Sequence, residues 1–440
     1  MPDSTFEQGA RTTATPMWRI VVTALAGTSI EWYDFFVYGT AAATVFPALF
    51  FPQSDPLVGS LLSFATFSVG FIARPVGAIL FGHYGDRTGR KKSLVVALLL
   101  MGCATTGIGL LPTHATIGVL APLLLVALRF IQGMAIGGQW GGAVLLLIES
   151  SPPGMRGFYG SFAQLGVPVG VVFANLVFLA VTQAFGETGM LAWAWRIPFI
   201  LSVALIGVGL YVQLRLEETP AFLLAQRAQS THAAQRPGSP ILRVLRESPR
   251  TIFLAAGAFV AINGCFYIFI TYVVAYGTRA LGMTQATMLT AVMLSAFVQA
   301  PSLLIAAAIS DRLGRRAVYM SGAILLGSWS LVFFPLLETR SFVAIATALC
   351  VGQVFNSMMY GPQAAFFGEL FRTEVRYSGA SLGYQIGAIF GGAFAPLIAA
   401  GLLASTGSSF SIGLYMALLC SVTVFSVRAL HETRESVGSG

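Results

Sequence analysis

The chain has 440 residues, 56% of them hydrophobic and 10% charged, with a formal net charge of +8. Soluble domains run at roughly 45–50% apolar and about 25% charged, so an aqueous globular fold is excluded and a polytopic membrane protein is expected. The positive charge does not point to nucleic acid, because the 25 Lys and Arg sit in short turns between apolar runs rather than on one face or arm.

Residues 1–17 are polar and the first apolar run is too long for a signal-peptide core, so no cleaved leader is expected. Apolar helices are predicted at 18–46, 57–82, 93–112, 118–148, 157–185, 194–216, 250–277, 284–309, 316–337, 341–368, 377–404 and 409–430. Each reaches the roughly 20 residues that cross a bilayer. The predicted fold is therefore an all-α membrane protein of two six-helix bundles, 18–216 and 250–430, between cytoplasmic tails 1–17 and 431–440. The polar stretch 217–249, with Pro237, Gly238 and Pro240, reads as a cytoplasmic linker. Cys103, Cys265, Cys350 and Cys420 lie in apolar runs without metal-ligand spacing, so neither a disulfide nor a metal is expected, and no cofactor.

With the N-terminus inside, 20 of the 25 Lys/Arg fall on cytoplasmic segments, which is the positive-inside asymmetry of a bacterial inner-membrane protein. The halves also echo each other. Gly85-Asp86-Arg87-Thr88-Gly89-Arg90-Lys91 is repeated as Ser310-Asp311-Arg312-Leu313-Gly314-Arg315-Arg316, and Glu149 with Arg156 as Glu369 with Arg376. Parallel repeats around a central site are a transporter architecture.

The loop Gly82-His83-Tyr84-Gly85-Asp86-Arg87-Thr88-Gly89-Arg90-Lys91 resembles the G-x-x-x-D-R-x-G-R-K signature of the major facilitator superfamily, and Arg129-Phe130-Ile131-Gln132-Gly133 its R-x-x-Q-G motif. A narrower resemblance rests on Glu31-Trp32-Tyr33-Asp34-Phe35, Ala73-Arg74-Pro75-Val76-Gly77, Gly137-Gly138-Gln139-Trp140-Gly141-Gly142, Trp195-Arg196-Ile197-Pro198-Phe199 and Tyr377-Ser378-Gly379. These are similar to the metabolite:proton symporter family, whose members include shikimate, 2-oxoglutarate, citrate and proline/betaine permeases; the first half is most like the shikimate-type branch. The resemblance implies proton-driven uptake of a small organic solute. The chain departs from the family at Gln139, where a glutamate is usual.

Of 17 acids only Glu31 and Asp34 lie deep in a helix. Charge at that depth costs at least about 2.5 kcal/mol and is a functional candidate by default. Asp34 lies roughly 24 Å along the first helix from Trp18, and Arg129 roughly 30 Å along the fourth from Glu149. The two therefore share a depth in the outer half of the membrane. An Asp34–Arg129 pair is expected, with Glu31 in reach and Arg74 nearer the cytoplasmic gate. Protonation of the acid would free Arg129 to hold an anion, coupling proton to substrate.

Polar stripes on apolar helices face partners or water rather than lipid. Gln132 and Gln139 lie on the Arg129 face of the fourth helix. Gln164 is on the fifth helix, Asn263 and Tyr267 on the seventh, and Gln353, Asn356, Tyr360 and Gln363 on one face of the tenth. With Tyr33 and Tyr384, these form the expected cavity wall. A single convincing arginine suggests a monocarboxylate, shikimate-like in the sense of hydroxylated or cyclic. Alternatives are a zwitterionic osmolyte, a di- or tricarboxylate and, less well supported, an efflux antiporter. No serine-hydrolase, HExxH or paired-cysteine motif supports an enzyme. The expected partners are the solute, a proton and the lipid bilayer, with the chain acting as a monomer.

The resemblance further implies a cytoplasmic latch. Asp86, Arg87, Arg90 and Glu149 would form one copy. Asp311, Arg315, Arg316, Glu369 and Arg376 would form its mirror; Asp86 would pair with Arg90 and face the N-terminus of the eleventh helix near Ser378.

Overall fold

The computed structural model describes residues 16–88, 90–137, 144, 147–148, 150–152, 154–215, 240–372 and 376–433, without the side chains of 82–94, 212–215, 240–243 and 377. Gln139 and Glu149 lie outside the described residues, as do the side chains of Asp86, Arg87 and Arg90. The described chain is helical almost throughout.

The first half comprises α1 (Met17–Thr44), α2 (Pro56–Thr88), α3 (Arg90–Leu110), α4 (Leu120–Gly137), α5 (Arg156–Ala192) and α6 (Ile197–Arg215). The second comprises α7 (Pro249–Arg279), α8 (Gln285–Leu313), α9 (Arg315–Glu338), α10 (Phe342–Leu370), α11 (Arg376–Ala388, Ile389–Ala393 and Ala395–Thr406) and α12 (Phe410–Ala429). Eleven of these are long and apolar enough to cross a membrane, and α3 is apolar over its shorter described part, Val95–Leu110.

Several local features follow from residue type. Gly186 takes φ +68° and breaks α5 one residue beyond the predicted end. Pro396 opens the last segment of α11, where a missing N–H leaves no hydrogen bond unmade. The π-helical turns Ile268–Tyr272 in α7 and Ile389–Ala393 in α11 carry no signal in hydrophobic pattern. Each swells its helix by one residue beside the centre of the molecule, a common device at functional sites.

The halves repeat one packing scheme. In the first, α1 packs on α5, α2 on α4 and α3 on α6; in the second, α7 packs on α11, α8 on α10 and α9 on α12. Across the halves, α5 meets α8 and α2 meets α11. The outer helices present apolar side chains to the surroundings: Leu414, Leu418, Val422 and Phe425 form an exposed stripe on α12. A continuous apolar stripe of that kind faces lipid.

Glycines set the closest crossing. A Cβ at Gly77 or Gly133 would run into the backbone of Met134 or Gly70, and one at Gly137 into the Arg74 carbonyl. Helices α2 and α4 therefore touch backbone to backbone. That contact carries Arg74 on α2 and Arg129 on α4 into the same region of the core.

Candidate functional site

Glu31, Asp34, Arg74 and Arg129 are all buried, with exposures of 6%, 0%, 2% and 0%. The Arg129 guanidinium lies over the rings of Tyr38, Phe35 and Phe67, 4.1, 4.3 and 5.0 Å from their centroids. Its Nη1 donates to Gln132 Oε1 at 2.5 Å, and Gln132 Nε2 donates to Thr105 Oγ1 at 2.8 Å and to the Asp34 carbonyl at 3.3 Å. Thus Gln132 is the clamp that holds Arg129 to α1 and α3, not a cavity wall.

The expected Asp34–Arg129 ion pair is open. Neither oxygen of the Asp34 carboxyl has a hydrogen-bond partner, and Nε and Nη2 of Arg129 have none. Asp34 points instead towards the hydroxyls of Ser202 on α6 and Thr105 on α3. The physical reason is azimuth: the two residues share a depth, but the π faces of Tyr38, Phe35 and Phe67 occupy the space around the guanidinium. Cation–π contacts are worth about 0.5–2 kcal/mol each, enough to compete with one buried ion pair after desolvation.

Arg74 departs further from expectation. Rather than nearing the gate, it lies over Phe71 and Phe35, 4.5 and 4.7 Å from their centroids, and 5.7 Å from that of Trp32. It sits beside the hydroxyls of Tyr267 and Tyr384 and within electrostatic reach of Glu31. Both arginines therefore share the ring of Phe35.

A small cavity with room for about one water lies between the halves. Trp32 and Val167 line it from the first half; Phe259, Ile262, Asn263, Phe266 and Tyr267 of α7, Asn356 and Tyr360 of α10 and Tyr384 of α11 line it from the second. Asn263, Tyr267, Asn356, Tyr360 and Tyr384 are thus brought together as expected. Asn356 Nδ2 donates to the Ile262 carbonyl at 3.0 Å, leaving its Oδ1 unpartnered, like Asn263 Nδ2 and the Tyr267 hydroxyl.

Other expected wall residues go elsewhere. The Tyr33 hydroxyl donates to the Pro198 carbonyl on α6 at 2.9 Å, away from the cavity. Gln164 Nε2 donates to Gln363 Oε1 at 2.5 Å, tying α5 to α10 across the halves. Gln353 is buried with both side-chain polar atoms unpartnered and does not line the cavity. The aromatic part of the wall was missed. Its signal was the spacing of Phe259, Ile262 and Phe266 on the Asn263–Tyr267 face of α7, which reads equally well as core.

Further hydrogen bonds join the halves, and ion pairs within the second half brace one of these contacts. On the linker side, the Asp311 carboxylate accepts from the backbone N–H of Gly157 and Phe158, both at 2.9 Å, at the N-terminus of α5. Arg315 pairs with Asp311 at 2.6 Å and with Glu369 at 3.4 Å. Glu432 caps α9 by accepting from the N–H of Arg315 and Arg316 at 2.9 and 3.0 Å, and the Thr433 hydroxyl donates to Glu369 at 2.6 Å. Arg316, expected with Glu369, donates instead to the Arg428 carbonyl at 2.6 Å. Arg376 makes no ion pair with Glu369, and its Nε is unpartnered. At the opposite end, Arg279 donates to the Ala43 carbonyl at 3.1 Å, and the Ser68 hydroxyl donates to the Ala393 carbonyl in the π turn of α11.

Residues 20–436 match the sugar (and other) transporter family. The chain is 40% identical over 421 residues to the inner membrane metabolite transport protein YhjE of Escherichia coli K12, covering 94% of each chain. It is 36% identical to the shikimate transporter of the same organism, covering 95% of each chain. Among solved structures it is similar to a partially occluded, inward-open form of the xylose transporter XylE from E. coli, with a TM-score of 0.76 at 16% identity, covering 95% of this chain and 98% of that one. A duplicated twelve-helix bundle around a central, mainly aromatic cavity thus agrees with sequence likeness along nearly the whole chain. The chain belongs to the sugar (and other) transporter family of the major facilitator superfamily, and is a multi-pass membrane transporter of metabolites rather than an enzyme.

Proposed function

We propose that this chain is a proton-coupled symporter of the inner membrane that imports a small monocarboxylate, hydroxylated and cyclic in the manner of shikimate, by alternating access. Both termini and the 217–249 linker face the cytoplasm, and the monomer is the working unit. The observation that carries the reading is the set of four buried charges, Glu31, Asp34, Arg74 and Arg129, with no ion pair within 4.0 Å among them. Together they sum to zero. One proton on Asp34 leaves the set at +1, and a monoanion restores neutrality; a dianion would need a second proton. An ionised carboxylate without a cation at this depth costs several kcal/mol, so the open geometry suits a carboxyl carrying its proton. Loss of that proton on the cytoplasmic side lets Asp34 neutralise Arg129, and the site loses the net positive charge that holds the anion.

The amides and hydroxyls of Asn263, Asn356 and Tyr267 supply hydrogen bonds for ring hydroxyls, and the surrounding rings supply flat apolar faces. Asp34→Asn is expected to abolish proton-driven accumulation while leaving exchange of preloaded substrate in proteoliposomes; accumulation that survives removes Asp34 as the coupling acid.

A second reading, a zwitterionic osmolyte, is supported by the same aromatic wall, since π faces also hold quaternary ammonium groups. The chain is 31% identical to the proline/betaine transporter of E. coli K12, covering 94% of this chain and 83% of that one. A thermal-shift screen of organic acids against betaines at two pH values separates the two: a betaine as the sole ligand sinks the organic-acid reading.

A further inference from the structure

The two arginines buried in the membrane interior differ in what lies against their unpartnered edges. The Nε and Nη2 atoms of an arginine form one edge of the guanidinium, the edge that takes a carboxylate with two parallel hydrogen bonds. In both Arg74 and Arg129 these two atoms lack a partner. Their surroundings differ. The edge of Arg129 lies flat against α2 at Gly70: even a methyl group added there would meet Nε at 2.5 Å and Nη2 at 3.0 Å. The remaining corner of Arg129 is taken by Gln132, and its faces by Tyr38, Phe35 and Phe67. No carboxylate reaches that edge without parting α2 from α4, which touch through backbone at Gly70 and Gly133.

Arg74 lies directly behind the cavity wall. Three residues of the cavity wall, Trp32, Tyr267 and Tyr384, lie beside its guanidinium. The Tyr267 hydroxyl lies next to that edge and has no hydrogen-bond partner beyond Arg74, so its proton is left to donate. Resting on the organic-acid reading above, we infer that the substrate's carboxylate docks on the Nε–Nη2 edge of Arg74, with the Tyr267 hydroxyl donating to it, while Arg129 serves the coupling acid and does not touch substrate. The shared ring of Phe35 gives this division a structural basis: the two cations sit close enough to feel each other's charge, so neutralising Arg129 by ionised Asp34 weakens the pull on an anion at Arg74.

The test is binding to purified protein in detergent, using hydroxylated ring monocarboxylates headed by shikimate, each beside its methyl ester. The acid-to-ester preference reads the carboxylate contact and is not moved by a general loss of packing. Wild type is expected to favour the acid at least tenfold; Arg74→Gln abolishes that preference, whereas Arg129→Gln lowers it without abolishing it. Should Arg74→Gln fail to purify as a single species, Arg74→Lys keeps the charge but loses the two-pronged edge, and its preference must fall between wild type and none. A preference that survives in Arg74→Gln, survives undiminished in Arg74→Lys, or is lost in Arg129→Gln overturns the assignment while the organic-acid reading stands. A wild type that binds acid and ester alike, or neither, fails the organic-acid reading itself and this inference with it.

Discussion

Two clusters of buried charge divide the molecule. At the linker-side face, Arg315, Asp311 and Glu369 have side-chain exposures of 4%, 7% and 5%, and both of these carboxylates have Arg315 as a cation, Asp311 with two backbone donors besides. In the membrane interior, Glu31, Asp34, Arg74 and Arg129 are equally buried, yet form no ion pair with one another. Burial is the same and pairing is not. A buried pair that is complete holds two elements in one arrangement. A buried charge left incomplete at membrane depth is costly, and persists where a proton or an anion comes and goes. The first cluster therefore reads as a latch and the second as the working site.

Breaking the complete cluster should have the largest effect. Arg315→Ala leaves Asp311 and Glu369 buried without a cation, a change that costs about 3–5 kcal/mol in other buried pairs. A marked fall in melting temperature is expected, together with faster labelling of a cysteine placed at Val167 from the linker side; Glu369→Gln added to it should restore part of the loss by removing one orphaned charge. Unchanged labelling would mean that Arg315 is no latch. A neutral link across the same interface should matter less. Gln164→Ala removes the bond to Gln363, worth about 1 kcal/mol, and should raise the exchange rate modestly without altering the acid-to-ester preference. Tyr33→Phe should do least. It frees only the Pro198 carbonyl, so the melting temperature should fall by the equivalent of about 1 kcal/mol or less, and substrate affinity should stay at the wild-type value; a clear loss of affinity would return Tyr33 to the cavity.

The latch was partly legible in advance. The repeat of Asp86 at Asp311, and of Glu149 at Glu369, marked both ends of the contact, and an acid contributes little to positive-inside orientation. What did not follow was which arginine serves. Arg315 and Arg316 are adjacent, so they lie about 100° apart around α9, and only Arg315 faces α8 and α10. The share of Glu432 and Thr433 was also hidden, since these residues reach the latch from the far end of the chain.

The sequence alone settled the solvent, because 56% apolar residues leave no aqueous alternative. It settled the number and rough ends of the helices, because a bilayer has one thickness and a helix one rise per residue. It settled the duplication, and which few charges lie at depth. Tertiary structure decided what those charges touch. Depth is one coordinate; contact also needs the angle around the helix axis and the rotamer of a long side chain. Those depended on Gly70, Gly77, Gly133 and Gly137 drawing α2 against α4, and on the rings of Phe35 and its neighbours filling the space where an ion pair was expected.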